Sequence, residues 1–212
     1  MREPLIVHRD DHVIVVDKPA GALVVPAPGR KAPTVVDTVG RLLGKRVQAV
    51  HRLDEDTTGL LALALTDVGR TGMEALFRAH AVVRDYLALV TSAPSPAAGK
   101  IDSGLREDDG GIVRVVAHGG TRAITHYETL ARRGRCTLVH CRLETGRRNQ
   151  IRVHLAALGS PVAGDRKYGF RAREGENFSR VMLHSWRMQF VHPVTGIAID
   201  LESLPIEPEL QP

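Results

Sequence analysis

The stretch Gly59-Leu60-Leu61-Ala62-Leu63-Ala64-Leu65-Thr66-Asp67 sets six apolar residues between a glycine and a helix-capping side chain. Six residues fall far short of the roughly 20 that a membrane-spanning helix needs, so the run reads as a buried strand. Asp67 then caps a helix whose inward stripe is Met73, Leu76 and Phe77. Upstream, residues 12–17 form a short apolar strand stopped by the turn Lys18-Pro19-Ala20-Gly21, and residues 22–25 resume extended. A helix is predicted over 35–43, with Thr34 as N-cap and Gly44 as stop. Its apolar positions 35, 36, 39, 42 and 43 follow the helical period.

Downstream, strands are predicted near 84–91, 112–116, 123–130, 136–144, 182–190 and 197–201. One short helix, carrying Ile151, Leu155 and Leu158, ends at Gly159 and Pro161. Runs of strands with a few inserted helices predict an α+β fold: a mixed, largely antiparallel sheet with a few flanking helices around a central cleft. The 212 residues fit one domain, 1–212, with a candidate seam at the Ser/Pro-rich stretch near 91–100.

Composition narrows the class further. Hydrophobic residues at 43% against 25% charged exclude wholesale disorder. Eight aromatics leave the core to Val, Leu, Ile and Ala, so an aromatic at a polar site carries information. Cys136 and Cys141 sit five apart in a strand, on opposite faces, and make no disulfide framework. No apolar signal segment follows Met-Arg-Glu-Pro, so a cytoplasmic protein with no membrane partner is expected. The net charge of +5 is unevenly placed: residues 140–190 hold ten Lys/Arg against four Asp/Glu. Such a segment suits a polyanion, although a solvated basic face gives the same count.

Three stretches concentrate chemistry. His51-Arg52-Leu53-Asp54-Glu55-Asp56-Thr57-Thr58-Gly59 joins two strands. A charged connection of this kind is ordinarily a solvated turn. Here Arg52 and Asp54 are two apart and project to one side of an extended backbone, and Thr57-Thr58-Gly59 tightens the loop. Arg84-Asp85-Tyr86-Leu87-Ala88-Leu89-Val90 places a tyrosine on an aliphatic strand, where most tyrosines are core residues. In Glu144-Thr-Gly-Arg147-Arg148-Asn149-Gln150-Ile151-Arg152-Val-His154, Asn149 reads as an N-cap, and Arg152 lies in the first turn of a helix. No metal-ligand spacing is present, and His8 and His12 are poorly set to share an ion.

Together these stretches resemble the three motifs of RluA-type pseudouridine synthases. The likeness continues, in order, through Asp17-Lys-Pro-Ala-Gly21, Gly164-Asp-Arg-Lys-Tyr-Gly169, Leu183-His-Ser-Trp186 and Phe190-Val-His-Pro-Val-Thr-Gly196, spanning nearly everything from Val7 to Leu201. Three positions depart from the usual pattern: Asn149 stands where the family has His, Arg84 where it has Lys, and Arg148 where Thr or Ser is common. The N-terminal S4 RNA-binding module of many members is not seen in this sequence, which reads as a bare catalytic domain.

The resemblance implies isomerisation of uridine to pseudouridine in ribosomal or transfer RNA, without cofactor or metal. It implies Asp54 as the essential carboxylate, Tyr86 against the uracil and in proton transfer, and Arg152 as the cation that keeps Asp54 charged and aimed. It also implies His51, Arg52, Thr57, Arg147, Arg148, Asn149 and Gln150 as substrate-binding residues. Arg52 would fill the space left by a flipped nucleotide. The arginines at 147, 148, 166, 171, 173 and 180, with Lys167, are expected to track phosphates, while Gly164-Asp165 and Tyr168-Gly169 read as structural turns. A monomer with no obligate protein partner is expected. Two other classes compete: a non-catalytic RNA-binding or remodelling protein on the same scaffold, and a carboxylate hydrolase. The hydrolase would need Glu55, Asp56 or another acid as a second catalytic carboxyl.

Overall fold

A computed structural model describes residues 2–212. In chain order the elements are β1 (Leu5–Arg9), β2 (Val13–Lys18), α1 (Val35–Leu43), β3 (Gln48–Ala49), β4 (Thr58–Ala64), α2 (Asp67–Arg78), β5 (Val83–Val90) and β6 (Ala98–Glu107). They continue with β7 (Val113–Val116), β8 (Thr121–Arg133), β9 (Cys136–Leu143), α3 (Gln150–Ala157), β10 (Leu183–Val191) and β11 (Ala198–Glu202). The class is α+β, mixed and mostly antiparallel, as the sequence predicts. Two compact units divide the chain: one runs to Arg84 and includes Ser185–Pro205, the other comprises Asp85–His184 and Ile206–Pro212. The chain leaves the first unit within β5 and returns to it within β10.

In the first unit the order is β1-β2-β4-β10, with β3 against β4 and β11 against β10. β2 and β4 run antiparallel from the pair Val13 and Ala64 to the pair Lys18 and Gly59. Their alternate residues feed two separate cores. Ile14, Val16, Leu61 and Leu63 pack with Val35 and Val39 of α1. Val13, Val15, Leu60 and Ala62 pack with Met73 of α2 and with Met188 and Phe190 of β10. With both faces covered, the strand has no reason to alternate, hence the unbroken apolar run. Each such leucine, fully buried, contributes about 1.5–3 kcal/mol.

The first helix begins and ends where its sequence predicts. Thr34 and Asp37 form a reciprocal capping box, and Gly44 closes the helix at φ 61°. The second helix corrects its expected cap. Thr66, extended at φ −136° and ψ 159°, is the N-cap and accepts from the Gly69 amide, while Asp67 is the first helical residue. A cap must be non-helical for its oxygen to reach back, and Thr66 is the residue still in strand geometry.

The second unit orders its strands β5-β9-β8-β6-β7, all antiparallel. The Ser/Pro-rich residues 92–97 connect β5 to β6 inside this unit. β1 and the ten-residue β6 have no counterpart in the sequence reading, because neither carries a regular apolar alternation. Residues 22–25, read as extended, form no strand. α3 packs Val153 against Leu105, Val113 and Ala123. Its other anchor is polar: His154 is fully buried and bonds Thr125 Oγ1 at 2.9 Å and Ser103 Oγ at 3.1 Å. Both cysteines are buried free thiols, and burial pushes both thiols up. Among the described residues no helix is long and apolar enough to cross a membrane.

Candidate active site

The loop bearing Asp54 is fixed from below by backbone and side-chain contacts within the first unit. Lys18 is completely buried, and its ammonium donates to the carbonyls of Glu55 (2.7 Å), Ala22 (2.8 Å) and Pro19 (3.0 Å). Three donors meet three acceptors next to the Asp54 peptide. The Thr57 amide closes the turn onto the Asp54 carbonyl at 3.2 Å, and Thr57 itself is buried. Gly59 has φ 100°, and a Cβ there would lie 2.2 Å from the Ser185 carbonyl oxygen, so no other residue fits. Leu53 packs into the α1 core. Asp54 is half-buried and Arg52 exposed.

His51 anchors the other end of this loop. Its Nε2 accepts from the Ala62 amide at 2.9 Å, and its ring lies 4.4 Å from that of Phe77. Burial, helped by the positive charge of Arg84, lowers its pKa to about 3, so the imidazole is neutral at working pH. Arg84 is itself buried, with its guanidinium 5.6 Å from the Phe77 ring. Glu55 is ion-paired to Arg30 at 2.7 Å, which leaves it poorly suited as a second catalytic carboxyl.

In the second unit, Tyr86 is 5% exposed and pairs with Cys141 across β5 and β9. Its neighbour Asp85 is buried and accepts from His140 Nε2 (2.8 Å) and from Arg142 Nε (2.7 Å) and Nη2 (3.0 Å). Burial raises the Asp85 carboxyl, but the hydrogen bonds from His140 and Arg142, with the charge of Arg142, outweigh it and hold the group below the usual carboxylate range. The Asp85 trio went unread in the sequence, since its members lie 55 and 57 residues apart.

Arg152 is buried and forms a bidentate pair with Asp165, Nε to Oδ2 at 2.7 Å and Nη2 to Oδ1 at 2.9 Å. Its guanidinium carbon stands 5.1 Å from the Tyr168 ring centroid. Gly164, at φ 80°, precedes Asp165 at a point where a Cβ would meet the Arg180 carbonyl oxygen at 1.9 Å. The Gly164-to-Gly169 segment is thus more than a turn: it delivers the carboxylate and the ring that hold Arg152.

Asn149 corrects its expected role. It occupies the N-cap position in left-handed geometry (φ 55°, ψ 19°) and makes no side-chain cap. A left-handed cap residue does not direct its oxygen at the following amides; instead its Nδ2 donates to the Tyr168 hydroxyl at 2.7 Å. Gln150 takes up the work at the helix start. It is 2% exposed, accepts from the Arg147 amide and the Thr145 hydroxyl, and donates to Ile124 O and Thr125 Oγ1.

Arg147 and Arg148 are exposed, the former donating to the Arg122 carbonyl and the latter paired with Glu107. Arg180 departs from the expected phosphate-tracking set. It is 8% exposed, paired with Glu207 at 2.7 Å, and donates to the Val181 and Leu183 carbonyls. Among the described residues no group of three or more His, Cys, Asp or Glu is set to hold a metal ion.

Comparison with known proteins identifies the family. The model of the RNA pseudouridylate synthase family matches residues 12–157, a span that contains Asp54, Tyr86 and Arg152. A ribosomal large subunit pseudouridine synthase D of Zymomonas mobilis is 37% identical, across 93% of this chain and 68% of its own length. An uncharacterized RNA pseudouridine synthase of Bacillus subtilis is also 37% identical, across 96% of this chain and 70% of its own. The solved structure of human RNA pseudouridylate synthase domain containing 4 superposes with a TM-score of 0.76 at 26% identity, covering 95% of this chain and 89% of that one. The chain belongs to the RNA pseudouridylate synthase family. Its class is that of an RNA-modifying isomerase, and the non-catalytic alternative is not favoured.

Proposed function

We propose that this enzyme converts specific uridines of large-subunit ribosomal RNA to pseudouridine, with Asp54 as the nucleophilic carboxylate and no cofactor. The glycosidic bond at N1 breaks, the uracil turns, and a new bond forms from C1′ to C5; the C5 proton leaves and N1 gains one. Nothing is oxidised or reduced. The target nucleotide leaves its stack first, at a cost of a few kcal/mol for a paired base. Exposed Arg52 takes the vacated place. Tyr86 lies against the uracil and handles the C5 proton. Arg152 serves as the cation of the reaction, and Asp165 and Tyr168 keep it in one rotamer. Arg147, Arg148 and Asn149 contact the substrate RNA, while His51, Thr57 and Gln150 shape the site from within the fold. On this reading residues 1–212 act as one catalytic domain, working as a cytoplasmic monomer without a protein partner.

What supports this reading is the resemblance of the stretches bearing Asp54, Tyr86 and Arg152 to the family's motifs, together with a family match over residues 12–157 that includes all three. The name of the Zymomonas mobilis relative supports ribosomal over transfer RNA. The test is to incubate the protein with RNA from a strain lacking it and to map pseudouridine at nucleotide resolution. New sites in 23S-type RNA, absent with Asp54→Ala, are expected. New sites confined to transfer RNA would overturn the substrate, and identical sites with Asp54→Ala would overturn the nucleophile.

A further inference from the structure

A groove of about 540 Å³ opens in the second unit among β7, α3 and the short turn Arg166–Tyr168. Val113, Val115, Val153, Ala156 and Ala157 give it an apolar floor. Arg114, Arg166, Lys167 and Arg171 line it as well, and no acidic residue does. Asp108, outside the lining, pairs with Arg114 at 3.1 Å. Lys167 donates to the Gly111 carbonyl, and Arg171 to that of Phe170. Lysine has three donors and arginine five, so these contacts leave hydrogens for a ligand. Val115 is 41% exposed, an unusual place for a large apolar side chain beside four cations. Tyr168 forms one wall, with its hydroxyl accepting from Asn149 Nδ2 at 2.7 Å and from the Val113 amide at 3.2 Å.

An apolar floor inside a ring of cations matches one kind of polyanion: a single strand, whose unstacked bases are apolar and whose phosphates are charged. A duplex presents phosphates but hides its base faces. We propose that this groove seats a single-stranded segment of the substrate RNA flanking the modified uridine. A base rests on the Val115 floor and Tyr168, and the adjoining phosphates meet Arg114, Arg166, Lys167 and Arg171. This rests on the assignment of RNA as substrate. Tyr168 then touches both the groove and Arg152, whose guanidinium carbon stands 5.1 Å from its ring centroid.

The test uses the full chain and a fluorescein-labelled single-stranded oligouridylate of roughly twelve nucleotides. Binding is followed by anisotropy from low to moderate salt for the wild type, the double variant Arg166→Gln/Arg171→Gln, Val115→Glu, and a control pair in the first unit, Arg41→Gln/Arg46→Gln. Each lost phosphate contact lowers the slope of log affinity against log salt by about 0.7, so the groove pair should lose about 1.4 and the control nothing. Val115→Glu should weaken binding with the melting temperature unchanged, and Val115→Gln should weaken it less. In RNA carrying 4-thiouridine, crosslinks should fall in peptides containing residues 113–116 or 166–171. An unchanged slope in the groove pair, an equal drop in the control, or equal competition by an oligoglutamate peptide would overturn the inference. If wild type forms pseudouridine while the groove variants keep full affinity and slope, the groove fails alone. If wild type forms none but the groove variants lose RNA binding, only the functional reading fails.

Discussion

The two regions that carry the proposed chemistry are held in place by different physics. The Asp54 loop is fixed almost entirely through backbone atoms: a buried lysine on three carbonyls, a threonine amide on the Asp54 carbonyl, a histidine ring on the Ala62 amide, and a glycine where no Cβ fits. Arg152 is fixed through side chains: a bidentate carboxylate and an aromatic ring. Backbone anchoring holds rigid the peptide from which the carboxylate projects. Side-chain anchoring sets the direction of a long, flexible guanidinium, which would otherwise keep several rotamers. The first region should therefore fail by losing fold, the second by losing aim.

Gly59→Ala should be the most damaging to the fold, because a Cβ 2.2 Å from a backbone oxygen at φ 100° forces β4 and β10 apart; thermal melting should show a large loss or no folded protein. Asp165→Asn strikes the second region. Removing one partner of a buried ion pair typically costs about 3–5 kcal/mol. Here the turnover rate should fall more than the apparent RNA affinity, and Asp165→Glu should recover part of it if aim is what was lost. Lys18→Met leaves three carbonyls unsatisfied and should cost about 3 kcal/mol in urea unfolding, with the activity of the folded fraction also reduced.

A further contrast concerns pH. An unfolded imidazole gains its proton near pH 6.5, whereas folded His51 resists to about 3 and His154 to about 4. The unfolded state therefore binds more protons between those limits, and stability present above pH 6.5 is lost as pH falls towards 3. His154→Gln, which keeps hydrogen-bonding capacity, should flatten that slope in denaturant titrations between pH 6.5 and 4.

The first helix was legible down to both caps, because Thr34, Asp37 and Gly44 are adjacent in sequence and their interactions are local. β4 was legible because its apolar run is unbroken. β6 was not: Gly99 and Gly104 interrupt it, and it is a strand because β8 pairs along its length. The same distinction holds at the site. The proposed catalytic residues Asp54, Tyr86 and Arg152 each stand in a local motif that the sequence displays. Lys18 and Asp165 sit in turn-like sequence that hides their roles, since what they hold lies 37 and 13 residues away. Arg180 shows the converse: one more cation in the basic segment, it is buried on Glu207, 27 residues away.

The most direct measurement is a single-turnover assay of pseudouridine formation in unmodified large-subunit ribosomal RNA, comparing wild type with Asp54→Asn and recording RNA affinity and melting temperature for both. With Asp54 as the nucleophile, Asp54→Asn folds and binds RNA like wild type but forms product at least about 10³-fold more slowly. Product formation within tenfold of wild type would contradict it.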